Sequence, residues 1–165
     1  NNQLTKKKIL ITGSKGFISS NLIQYLSNKD VEIYATSKDI GSKYFFDLSL
    51  KVNHKTLPRF DILIHLAYQR SNTYFKERKI NFEGSKKIFE IAKRNRAKII
   101  YLSSQSADSQ SSSNYGKIKF AIEKLALTYN ANILKPGLIY KENAKTGIYA
   151  NIEALVKKSP VIIFP

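Results

Sequence analysis

The stretch ILITGSKGFISSNL, residues 9–22, decides the fold of this chain. Ile9, Leu10 and Ile11 form a continuous apolar run that reads as a strand buried on both faces, closed by Gly13 and Gly16. Beyond that break Phe17, Ile18, Leu22, Ile23 and Leu26 recur at helical spacing until SNKD, residues 27–30, ends the helix. Strand, glycine bend and helix in this order bring backbone N–H groups and the positive end of a helix to one place, which is what a pyrophosphate needs. Gly13 supplies the bend and Gly16 the close approach, with Ser14 and Lys15 between them. The third small position of such a turn holds Ser19 where glycine is usual. That position mainly lets the helix pack closely on the strand, so a small serine can serve there. An ordinary strand-to-helix turn would use the same residues, so the assignment depends on the rest of the chain.

Outward from this stretch, apolar runs and helical periods alternate. VEIYAT (31–36) reads as a second strand, KYFFDL (43–48) as a third, DILIHLA (61–67) as a fourth, AKIIYLSS (97–104) as a fifth and ANILKPG (131–137) as a sixth. PVIIFP (160–165) is a candidate seventh. NFEGSKKIFEIAKRN (81–95) and YGKIKFAIEKLALTY (115–129) each gather their apolar residues near one side of a helix. Such alternation calls for an α/β domain with a doubly wound parallel sheet, right-handed crossovers and helices on both faces. Its ligand belongs at the carboxyl ends of the strands, beside the first one, where Gly13, Ala67 and Ser104 fall on the same edge. The serine-rich SSQSADSQSSSN (103–114) has no hydrophobic period and reads as a loop.

At 165 residues the chain is long enough for one sizeable core. It has no cysteine, and only His54 and His65 could supply imidazole ligands, so no metal site is expected. No apolar run approaches the roughly 20 residues of a membrane helix, and no signal-peptide pattern opens the chain, which points to a cytoplasmic protein without membrane association. The net charge of +16 comes from lysines dispersed along the chain, and the arginines are only Arg59, Arg70, Arg78, Arg94 and Arg96. Dispersed lysine marks a solvated surface rather than a nucleic-acid reader, which concentrates arginine in a patch.

About 20 positions past a dinucleotide turn, an acidic residue would bind a ribose 2′-hydroxyl. Here stand Thr36, Ser37 and Lys38, which suit a 2′-phosphate better, so the residues favour NADP(H) over NAD(H), with Asp39 close enough to blur the distinction. Tyr115 and Lys119 lie four apart at the start of a helix and share a face. A cation there lowers the phenol's pKa, so that it can act as acid or base near neutral pH. Tyr25/Lys29 and Tyr34/Lys38 have the same spacing, but only Tyr115 follows the strand end that carries Ser103 and Ser104. A hydroxyl at that edge could hold a substrate oxygen beside the tyrosine while Lys119 bonds the cofactor ribose, an arrangement suited to hydride transfer at a carbinol or ketone.

At this point the chain resembles the short-chain dehydrogenase/reductases, and among them the extended group of NAD(P)-dependent nucleotide-sugar epimerases, dehydratases and reductases. The resemblance rests on TGSKGFIS, FDLS, DILIHLAY, NFEGS, YLSSQSA, YGKIK and LKPGLIY in that order. It implies a Rossmann domain in which Gly13, Gly16, Phe17 and Ile18 line the pyrophosphate and Asp47 and Leu48 the adenine. Leu66, Ala67 and Tyr68 would then line the middle of the cofactor, and Pro136 and Gly137 would border the nicotinamide. Asn81, Ser104, Tyr115 and Lys119 resemble the catalytic tetrad: Tyr115 as acid/base, Ser104 orienting the substrate oxygen, Lys119 tuning Tyr115, and Asn81 supporting a water or Lys119. The implied substrate is a nucleotide sugar or another small carbonyl or carbinol compound. Dimerisation through residues 83–94 and 116–129 would fit the family, although those faces are also needed to cover the sheet.

The departures from the family pattern are Ser19, Tyr68 where alanine is frequent, and Lys135 where arginine often precedes proline-glycine. The loop between Ser104 and Tyr115 is short, and the chain ends at VIIFP, where members of the group continue into a lobe that grips the nucleotide sugar. Residues 1–165 are thus expected to be the NAD(P)-binding domain without that lobe, either as a fragment or as a reduced protein of the atypical branch. Two functions follow: a cofactor-dependent enzyme, or a dinucleotide-sensing or scaffold domain without turnover of its own.

Overall fold

The computed structural model describes residues 6–50 and 56–137. The chain divides into two compact units, Asn1–Lys135 and Pro136–Pro165, and only Pro136 and Gly137 of the second are among the described residues. His54 and the candidate seventh strand lie outside those residues.

In the first unit the elements run β1 (Lys7–Thr12), α1 (Phe17–Leu26), β2 (Val31–Ala35), β3 (Ile62–His65), α2 (Tyr74–Asn95), β4 (Lys98–Leu102), α3 (Asn114–Leu127) and β5 (Asn132–Leu134). All strands are parallel, in the order β2-β1-β3-β4-β5. β1 is central: Leu10 pairs with Tyr34 on one side and Leu63 on the other, and its last four residues are buried. That position explains its unbroken apolar run, since helices cover both sides of such a sheet. Right-handed crossovers place α1 on one face and α2 and α3 on the other. On the α2/α3 face Ile88, Phe89, Ala92, Ile118, Ile122 and Ala126 close over Leu63, Ile99 and Tyr101 to form the core.

The chain leaves β1 toward β2 on one side, whereas β3 lies on the other side of β1. Strand order therefore reverses between β1 and β3, which opens a crevice at their carboxyl ends. The expected third strand, KYFFDL, is reduced to a single parallel bridge between Ser37 and Phe45. Its apolar residues have another use, because Phe46 and Leu48 are buried in the core beside the crevice. α2 starts seven residues before the expected Asn81, at Tyr74, where Thr73 caps it by accepting from the Lys76 N–H at 3.4 Å. That first part carries Lys76, Arg78 and Lys79 and lacks an apolar period. α2 also packs closely on the segment 46–48: a Cβ on Gly84 would fall 2.6 Å from the Leu48 carbonyl oxygen, so only glycine fits.

Candidate functional site

Residues of the glycine turn, the ends of β2 and β3 and the segment 46–48 enclose a cleft of about 270 Å³ at the switch point. Gly13 has φ +72° and its Cα faces the Ala67 backbone, where an added Cβ would sit 2.9 Å from the Ala67 Cα. Both the left-handed conformation and the close approach require glycine. Gly16 donates its N–H to the Gly13 carbonyl at 2.9 Å and is the N-cap of α1. No side chain caps α1, and its first turn has no acidic residue, so its leading N–H groups keep their positive end for an anion.

Ser19 is buried, and its hydroxyl donates to the Gly13 carbonyl. The residue in the usual third-glycine position thus does more than permit close packing. It ties the first turn of α1 to the bend.

The two walls of the cleft are joined by a buried chain of hydrogen bonds. Thr12 Oγ1 accepts the N–H groups of Leu66 and Ala67, each at 3.1 Å, and lies 2.8 Å from His65 Nδ1. With its lone pairs so occupied, the Thr12 hydroxyl donates to Nδ1, which leaves the proton on Nε2 to be donated to Ser85 Oγ at 2.8 Å. Burial, and then the Lys119 cation, pull the His65 pKa down to about 3, so the ring stays neutral and structural.

At the β2 end Thr36 is buried, and its carbonyl accepts from the Ser14 N–H at 3.0 Å. Its hydroxyl does not line the cleft, whereas Ser37 and Lys38 do. Asp39 also lines it and is ion-paired with Lys15, which holds its carboxyl below the ordinary range. The expected Gly13, Ser14, Lys15, Gly16, Asp47, Leu48, Leu66, Ala67 and Tyr68 line the same cleft. Phe17 and Ile18 lie just past it as the first residues of α1. Asp39, Phe46 and Gln69 complete the lining. The alternation of Phe46 with Leu48 was a legible signal for that residue, while nothing in the sequence marks Gln69.

Next to the cleft stands Tyr115, one residue inside α3, whose N-cap Ser113 accepts from the Gly116 N–H. Its ring meets that of Tyr68 edge-on, with centroids 4.9 Å apart, so the cleft and the tyrosine are contiguous. Ser104 stands beside the Tyr115 phenol, and its hydroxyl shares a hydrogen bond with Ser106 Oγ at 2.9 Å. Burial raises the Tyr115 pKa, while the Arg70 cation and the nearby Ser104 hydroxyl work against that rise.

The other three expected residues are engaged elsewhere. Lys119 is buried and donates to the Leu102 carbonyl, and burial lowers its pKa to about 7 against the opposing pull of Glu123. Asn81 accepts from the Gln69 N–H at 2.8 Å and donates to the Gln69 and Glu77 carbonyls, each at 2.7 Å. Asn81 therefore clasps the loop after β3. Ser103 donates to Glu123 at 2.8 Å, and Glu123 pairs with Lys135 at 3.1 Å, which fastens the end of β4 to α3 and β5. Pro136 and Gly137 belong to the second unit. Among the described residues, no His, Asp or Glu cluster could hold a metal, and no helix is long and apolar enough to cross a membrane.

Three solved structures illustrate the likeness of fold. UDP-N-acetylglucosamine 4-epimerase from Bacillus cereus is 22% identical with a TM-score of 0.72, over 84% of this chain and 57% of that one. A dTDP-4-dehydrorhamnose reductase from Clostridium acetobutylicum is 20% identical with a TM-score of 0.73, over 92% and 60%. The enzyme WbmG of Bordetella bronchiseptica, in complex with NAD, is 16% identical with a TM-score of 0.74, over 95% and 61%. The chain thus spans about three-fifths of the length of these proteins. No curated protein matches the sequence. The NAD dependent epimerase/dehydratase family matches residues 9–139, a span that contains the glycine turn, the cleft and Tyr115. The chain belongs to the NAD dependent epimerase/dehydratase family.

Proposed function

We propose that this chain is the cofactor-binding part of an NAD-dependent enzyme that acts on a nucleotide sugar, with Tyr115 as the group that moves a proton. The observation that carries the proposal is the contact of Tyr115 with Tyr68, 4.9 Å between ring centroids, at the edge of a cleft whose turn demands glycine at position 13. The cleft suits a dinucleotide, since the free end of α1 can receive a pyrophosphate and Phe46 and Leu48 offer apolar surface to a base. When bound, the nicotinamide supplies hydride acceptor and donor chemistry. The protein's own part is to hold the substrate oxygen between Ser104 Oγ and Tyr115 Oη, and to take the hydroxyl proton on Tyr115 or return it.

Asp39 offers an acceptor for a ribose 2′-hydroxyl and supports NAD(H), in line with the family. Ser37 and Lys38 at the same end support NADP(H) as a second fit. The substrate class rests on the neighbours of like fold, among them enzymes of UDP- and dTDP-linked sugars.

Tyr115→Phe in the whole protein should keep NADH binding and lose about 10²- to 10⁴-fold in turnover across a panel of UDP- and dTDP-sugars. Unchanged turnover would refute the role of the phenol. A second reading, a dinucleotide-sensing domain, draws on the engagement of Asn81 and Lys119 with backbone carbonyls. Tight NADH binding with no turnover of the panel by the whole protein would favour it.

A further inference from the structure

The loop after β3 brings a guanidinium to the edge where Tyr115 stands. The Arg70 guanidinium carbon lies 4.6 Å from the centroid of the Tyr115 ring and 5.3 Å from that of Tyr68. Its side chain is 69% exposed, and its one ion pair among the described residues is a contact of 3.4 Å from Nη1 to Glu77 Oε1. A guanidinium has five N–H donors, so most of this fork stays open to solvent. Glu77, buried on α2, already accepts from the Tyr68 hydroxyl at 2.6 Å and the Ser71 N–H at 2.9 Å. Asn81 holds the loop that carries Arg70, accepting from the Gln69 N–H at 2.8 Å and donating to the Gln69 carbonyl at 2.7 Å. The guanidinium is thus fixed in place while most of its hydrogen-bonding capacity is unused.

We infer that Arg70 is the substrate-anion site of this chain, where a carboxylate or phosphate on the sugar docks while the reacting carbinol faces Tyr115. The inference rests on the proposed role of Tyr115 and narrows its substrate class to sugars with an anionic group close to the reacting carbon. Arginine suits this task because its planar fork meets two oxygens of a carboxylate or phosphate at once, and because it can rest on an aromatic ring. Distance limits what can be bound. With the guanidinium against the ring that carries the phenol, an anion on its open side and a hydroxyl at Tyr115 Oη lie within reach of one sugar residue. The surrounding charge agrees. The first two turns of α2, which begin at the same edge, expose Lys76, Arg78 and Lys79, while their one acid, Glu77, is buried. The resulting potential draws anions toward this end of the sheet. An arginine that only covered the tyrosine would leave ligand choice unchanged when replaced, and the two roles separate on that point.

Binding to the whole protein, loaded with NADH, tests this without turnover. Calorimetric titrations would use UDP-glucuronic acid, UDP-glucose and UDP; the first two differ only in a carboxylate against a hydroxymethyl group. Arg70→Gln should keep NADH binding and lose about tenfold in affinity for a probe that carries the docked anion, as expected of a charged hydrogen-bond pair in a partly solvated place. Arg70→Lys should recover part of that loss, because the charge returns without the fork. A loss confined to UDP-glucuronic acid supports the inference and assigns the site to a carboxylate of the sugar. An equal loss for all three supports it and assigns the site to the phosphates. Affinities in Arg70→Gln equal to those of the parent for every probe, or no binding of any probe by the NADH-loaded parent, would overturn the inference. Failure of the enzymatic reading would show instead in absent NADH binding or in unchanged turnover of Tyr115→Phe, neither of which depends on Arg70.

Discussion

Restoring glycine at position 19 should weaken this protein. Ser19 is 2% exposed and its hydroxyl donates to the Gly13 carbonyl, which also accepts the Gly16 N–H at 2.9 Å. Removal of the hydroxyl therefore costs one buried hydrogen bond, about 1 kcal/mol, without orphaning the carbonyl. Glycine inside α1 adds about 0.5 kcal/mol of helix propensity relative to serine, for a loss of about 1.5 kcal/mol in Ser19→Gly. In Ser19→Ala the same hydrogen bond is lost, but alanine regains about 0.5 kcal/mol of helix propensity, which leaves about 0.5 kcal/mol of destabilisation. Urea unfolding followed by circular dichroism reads both values. With m of roughly 1–3 kcal/mol/M, the midpoint should fall by about 0.5–1.5 M for Ser19→Gly, and by about a third of that for Ser19→Ala, at unchanged m. A Ser19→Gly protein as stable as the parent would show that position 19 needs only to be small, and the tie between helix and bend would be refuted.

Other expected outcomes concern the cleft walls. Gly13→Ala must take a left-handed conformation, about 1–2 kcal/mol, and push its Cβ against the Ala67 backbone, about 1–3 kcal/mol more. Urea unfolding should show a loss of about 2–5 kcal/mol, and NADH titration a loss of affinity of at least about tenfold, because the turn must shift. His65 is neutral in the fold with a pKa of about 3 against 6.5 when unfolded, so the unfolded state binds the extra proton as pH falls. The His65 contribution to stability should therefore be near full above about pH 7 and fall by about 2 kcal/mol by pH 5, a slope that urea midpoints should show in the parent and lose in His65→Asn.

The sheet was legible because β1 is buried on both sides and must be apolar throughout, and because strand and helix periods alternate along the chain. The cleft was legible through Gly13, whose backbone geometry excludes every other residue. What could not be read is where long side chains go once the loops are placed. Tyr115 and Lys119 sit four apart on a helix, yet the ammonium reaches the Leu102 carbonyl and an arginine from another loop covers the tyrosine. Asn81 likewise carries a carboxamide that fits a catalytic or a structural task equally well, and only the position of Gln69 assigns it to the loop. KYFFDL has the composition of a strand, but its aromatic and apolar residues are drawn into the core and the cleft before a ladder can form.

The central claim is that the cleft between β1 and β3 holds a nicotinamide dinucleotide with its pyrophosphate at the glycine turn. Nicotinamide fluorescence on titration of NADH into the full chain tests it most directly, and the absence of tryptophan leaves the signal unobscured. The account predicts a saturable enhancement that NAD competes away and that Gly13→Ala abolishes or weakens at least about tenfold. The absence of saturable binding in the folded parent, or binding that Gly13→Ala leaves intact, would contradict it.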